Sequence, residues 1–87
     1  MDTRIALIGI SVEDKGSAEK INALLHQYGT YVIGRMGIPN QKHQVSVMSV
    51  VLDAPMDVAS TLSGKLGMLT GVSVKTIYAP KHKEGNA

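Results

Sequence analysis

A strand–helix–strand pattern occurs twice in this chain, and that repetition restricts the fold more than any other feature. Residues 3–12, TRIALIGISV, are rich in β-branched side chains and predict a first strand. A helix is expected over about 17–28, with Ala18, Ile21, Leu24, Leu25 and Tyr28 at helical spacing on one side. Ser17 is the expected N-cap, and Gly29 stands where a C-terminal glycine would end the helix. The second strand, 30–38, TYVIGRMGI, closes at Pro39-Asn40. The pattern then restarts. Residues 44–53, QVSVMSVVLD, predict the third strand. Pro55 suits the first turn of a second helix, and Asp57 complements its dipole. Val58, Leu62, Leu66 and Leu69 make the apolar stripe of that helix, and Gly71 precedes a last strand at 72–79.

Two βαβ halves, about 4–38 and 44–79, predict an α+β fold of the ferredoxin-like βαββαβ type. Its four-stranded antiparallel sheet would carry both helices on one face. The expected organisation is a single domain over 1–80 and a polar C-terminal tail over 81–87. An unaided sheet of this kind should be apolar on one face and polar on the other. Here both faces are apolar. The first strand offers Ile5 and Leu7 on one side and Ala6, Ile8, Ile10 and Val12 on the other. The third sets Val45, Val47 and Val51 against Met48, Val50 and Leu52. A domain of this size buries only about 60% of its unfolded surface. A homo-oligomer through the open sheet face is therefore expected, with Ile8, Ile10, Met48 and Val50 in the interface.

The run LSGKLG (62–67) contains a Gly-Lys pair of the sort that ends a phosphate-binding loop. The rest of that motif is missing, because Ala59 and Leu66 stand where glycine and Ser/Thr are needed. The pair also lies near a helix C-terminus, whose carbonyls repel anions. On a helical wheel Ser60, Ser63, Gly64 and Gly67 fall together, opposite Leu62 and Leu66. Such a strip admits another backbone or a ligand, which places Gly64 and Gly67 in a candidate interface. Alternatively Gly67 is a C-cap and Gly64 is tolerated at about 1 kcal/mol.

Four residues are candidate ligand contacts: Asp14 and Gly16 in the loop before the first helix, Arg35 in the middle of the second strand, and Lys65. Lys65 and Lys75 are either solvated stems or parts of an anion site. His26, His43 and His82 lack partners at metal-ligand spacing, and the chain has no cysteine, so no metal or cofactor is expected. No nucleophile–base constellation appears, which argues against an enzyme and leaves no catalytic residue to name. Met1–Pro80 carry seven basic and six acidic residues, too balanced for a nucleic-acid binder. Asp2 and Arg4 break any signal-peptide pattern, and no membrane-length apolar run follows, so a cytoplasmic location is expected.

The stretches VED…SAEKIN.LL (12–25), GRMGIP (34–39), LSGKLG (62–67) and GVSVKT (71–76) resemble the TM1266-like family of iron-only hydrogenase system regulators. That family is itself similar to ACT domains and to the ligand-sensing domain of nickel-responsive repressors. The resemblance implies an ACT-like subunit, homo-oligomeric assembly and a non-enzymatic regulatory or sensing role with a small-molecule effector. ACT domains often bind amino acids near an Asp-x-Pro-Gly loop, which Asp14-Lys15-Gly16 matches in part, without the proline. Nickel ligands do not carry over, and no ribbon-helix-helix DNA-binding segment is expected ahead of Thr3. The alternative role is a protein-interaction or assembly factor that uses no small ligand.

Overall fold

The strands and helices follow the repeated pattern, in the order β1 (Arg4–Val12), α1 (Lys15–Gln27), β2 (Val32–Asn40), β3 (Val45–Ala54), α2 (Met56–Gly67) and β4 (Val72–Tyr78). The computed structural model describes residues 2–40 and 43–80, the side chains of residues 39 and 40 excepted. The tail expected over 81–87, with His82, lies outside them. One four-stranded sheet has the order β2-β3-β1-β4, and all its neighbouring strands are antiparallel. This is the βαββαβ, ferredoxin-like arrangement that the repeat predicts. β1 is bonded on both sides: Ile8 stands opposite Val50 of β3 and opposite Thr76 of β4.

Period-two alternation places one set from each strand beneath the helices. That set comprises Ala6, Ile8, Ile10 and Val12 of β1 with Val50, Leu52 and Ala54 of β3, all buried. Ile21 and Leu25 of α1 and Ala59, Leu62 and Leu66 of α2 complete the core. Tyr28, Tyr31, Val72, Val74 and Tyr78 pack around its margin. Ala18, expected on the buried side of α1, is exposed. The inward stripe instead runs through Ser17, Ile21 and Leu25, spaced four residues apart.

The helix ends differ from expectation in a way that bears on the site. α1 begins two residues early, and Asp14 caps it, its Oδ1 accepting from the Gly16 N–H at 3.0 Å. Ser17 is therefore not the N-cap. Its buried hydroxyl donates to the Thr70 carbonyl at 2.6 Å. The Glu13 N–H donates to the Gly71 carbonyl at 2.8 Å, so two bonds staple the loop before α1 to the turn before β4. Gly71 has φ +69°, and a Cβ there would lie 2.8 Å from the Asp14 Cβ and 3.0 Å from its backbone nitrogen. Only glycine satisfies both the dihedral and the contact. Gly29 follows the α1 cap at Tyr28 without a left-handed φ, while Gly67 lies inside α2, which is capped by Met68. β2 runs past its expected end and carries Pro39 opposite Ser46. An edge strand tolerates that proline because one side of its ladder needs no donor.

Leu62→Ala should lower unfolding free energy by about 2–5 kcal/mol in urea titration, since it opens a void in the centre of the core. The two glycines should respond in opposite directions to alanine. Gly71→Ala should cost about 1–3 kcal/mol through its dihedral and contact with Asp14. Gly64→Ala should stabilise by about 0.5–1 kcal/mol, because a Cβ there meets nothing within 4 Å. Thermal melts of both variants provide the check.

Candidate functional site

The sheet face away from the helices is built by the alternate residues, and the strand register arranges them in rows. Gly34, Val51, Leu7 and Ile77 stand side by side across the four strands. The next row is Met36, Ser49, Gly9 and Lys75, and the third is Ile38, Val47, Ser11 and Ser73. Leu7 is 38% exposed, Val47 51%, Ile38 56%, Met36 61% and Ile77 65%. These large apolar side chains are exposed together on one face of the sheet.

The interface residues expected from the sequence lie on the other side. Ile8, Ile10 and Val50 are buried beneath the helices, and Met48 is half-buried with them. They cannot form the open face. The reason was present in the alternation: Ala6, Ile8, Ile10 and Val12 are apolar without a break, whereas Ile5 and Leu7 lead into Gly9 and Ser11. A dry helix-covered core accepts the unbroken set, because buried hydroxyls would need partners. The exposed apolar residues of β2, β4 and the odd positions of β1 were missing from the expected interface.

Within the open face, the small side chains of the second and third rows leave a shallow depression of about 300 Å³. Gly9, Ser11, Val47, Ser73 and Lys75 line it. Gly9 contributes no side chain to its floor.

The four candidate ligand contacts sit on separate elements. Asp14 and Gly16 share the α1 N-terminus, with one Asp14 oxygen committed to the cap. Arg35 lies on edge strand β2, and its Nη2 donates to Asn22 Oδ1 on α1 at 2.8 Å, which anchors the guanidinium within the chain. Lys65, on α2, places its Nζ 5.4 Å from the centre of the Tyr28 ring, within range of a cation–π contact. The structure brings Asp14 and Gly16 together and leaves Arg35 and Lys65 elsewhere. The small-residue strip on α2 is also divided. Ser63 is half-buried, its hydroxyl 2.8 Å from that of Thr76, while Gly64 and Gly67 are exposed with open space at each Cβ. Among the described residues no three His, Cys, Asp or Glu side chains converge into a metal-binding group. No helix there is long and apolar enough to cross a membrane.

Comparison with known proteins adds a family. The sequence profile of the TM1266-like family, described as "Iron-only hydrogenase system regulator, putative", matches residues 4–76. No curated protein matches the chain. Among solved structures, the uncharacterized protein TM1266 from Thermotoga maritima superimposes with a TM-score of 0.85 at 31% identity, covering 88% of this chain and 98% of that one. A formyltetrahydrofolate deformylase from Pseudomonas putida KT2440 shares the fold alone, at TM-score 0.63 and 13% identity over 91% of this chain and 30% of that one. With nearly the whole folded region matched by the profile, this chain belongs to the TM1266-like family.

Proposed function

We propose that this chain is a non-enzymatic, ACT-like regulatory module that assembles with copies of itself through the open face of its sheet. It senses a small ligand where the loop 13–17 meets a neighbouring subunit, and it works in the cytoplasm. The apolar open face carries this reading. Ile5, Leu7, Met36, Ile38, Val47 and Ile77 remain exposed after both helices have been used on the opposite side. Covering a few hundred Å² of such surface yields several kcal/mol at about 25 cal/mol per Å². The family description supports a regulatory rather than a catalytic role.

The loop suits sensing for a separate reason. It is held by the bonds from Glu13 and Ser17 to the turn at 70–71, so its shape is set before anything binds. Asp14 keeps a second carboxylate oxygen beyond the one that caps the helix, and Gly16 leaves the first turn of α1 open. The alternative is an assembly factor that offers the same apolar face to a different protein.

Sedimentation at micromolar concentration should show an oligomer, and Leu7→Asp should convert it to a folded monomer with an unchanged far-ultraviolet spectrum. A wild-type monomer would remove the self-assembly reading, and a stoichiometric partner in a pull-down would then favour the assembly factor. A thermal-shift screen of amino acids and other small metabolites tests sensing. A ligand at a hundred times its Kd adds about 2.7 kcal/mol, which for a domain of this size raises Tm by about 10–20 °C. The shift should shrink in Asp14→Ala. If no compound produces a saturable shift, the sensing role is wrong.

A further inference from the structure

The two outer edges of the sheet are finished differently, and hydrogen-bond parity shows how. The Ala79 N–H donates to the Ile5 carbonyl at 2.9 Å. With the antiparallel register, that bond turns the backbone groups of Ile77, Lys75 and Ser73 toward β1 and those of Val74, Thr76 and Tyr78 outward. The same parity carries across the sheet. Leu7 faces β4, so Val51, Ser49 and Val47 face β2, whose outward residues are Arg35, Gly37 and Pro39.

The edge of β2 is interrupted twice, by a bulge between Val32 and Gly34 and by Pro39, which has no N–H to donate. β4 has neither device. It pairs with β1 residue for residue, and its sequence VSVKTIY holds no proline. Val72, Val74, Thr76 and Ile77 are β-branched and Tyr78 is aromatic, the composition of a strand that pairs readily with another edge. Its one charged residue is Lys75, at the middle of the strand and exposed.

The middle is where a single charge opposes self-pairing most. Strands joined through their outward groups can shift register only in steps of two residues. A second copy of β4 laid antiparallel on the first then sets Lys75 opposite Ser73, Lys75 or Ile77 of that copy in the three registers of longest overlap. The two lysines are directly opposed in one of these and diagonal neighbours on the same face in the others, and like charges so placed destabilise the pair. Registers that separate them further leave little of either strand paired.

We propose that Lys75, with its head in water, closes the outer edge of β4 to a second copy of the chain. Self-assembly then runs through the apolar sheet face alone and stops at a two-layer pair, because a face that meets its own copy across a two-fold axis is used up. The pair rests on the self-assembly reading above, whereas the closed edge is a property of the single subunit.

Sedimentation of the full chain at micromolar concentration, with amide hydrogen exchange on the same samples, tests this. The wild type should be a dimer whose Val74, Thr76 and Tyr78 amides exchange at least about tenfold faster than that of Ile8. Lys75→Val should at least double the mean mass and slow those three amides by about tenfold or more. Lys75→Glu should keep the wild-type mass, since it only changes the sign of the repulsion. An equimolar mixture of Lys75→Glu with the wild type should form the larger species, because the two edges then carry opposite charges. If Lys75→Val and the mixture both keep the wild-type mass, the inference is overturned. It is equally overturned if the three amides are already slow in a wild-type oligomer that Leu7→Asp fails to dissociate, which places assembly at the edge. A wild-type monomer removes the self-assembly reading; the closed edge then stands if Lys75→Val dimerises with slowed amides and falls if that variant stays monomeric.

Discussion

Every feature of this molecule is arranged around a central strand whose two faces are unequal but both apolar. β1 is hydrogen-bonded to β3 on one side and β4 on the other, so its only free directions are the two sheet faces. One face receives Ala6, Ile8, Ile10 and Val12 and is sealed by α1 and α2. The other receives Ile5, Leu7, Gly9 and Ser11, and no helix among the described residues covers it. Among the described residues the apolar side chains of that face, Ile5 and Leu7 with Met36, Ile38, Val47 and Ile77, remain exposed.

The two βαβ halves are joined by more than the sheet. The loop leaving β1 is bonded through Glu13 and Ser17 to the turn that enters β4, and Gly71 lets the two backbones approach closely. A residue with a side chain at position 71 would push this junction apart. These bonds tie the N-terminus of α1, with Asp14 and Gly16, to the turn that enters β4. Arg35, bonded to Asn22, and Lys65, over Tyr28, play a similar tying role elsewhere: each charged head is used to bind one element to another.

The chain belongs to the TM1266-like family, whose description is that of an iron-only hydrogenase system regulator. The described surface carries an exposed apolar sheet face with a shallow apolar depression, together with a capped loop bonded to the turn before β4.

The element order, the ferredoxin-like fold, the family and the excess of apolar strand residues were all legible in the sequence, because each is a property of local spacing. The periods of two and 3.6 residues identify strands and helices, and the motifs GRMGIP and LSGKLG lie within single elements. What the spacing left open was the side of the sheet on which each alternating set would lie. Ile8, Ile10 and Val50 went under the helices because only an uninterrupted apolar set can be buried dry, a comparison that involves all four strands at once. Ser17 likewise looked like a cap, since a serine before an apolar run usually is one. Its true partner, the Thr70 carbonyl, is 53 residues away. Periodicity determines which residues share a face, but long-range packing decides what that face meets.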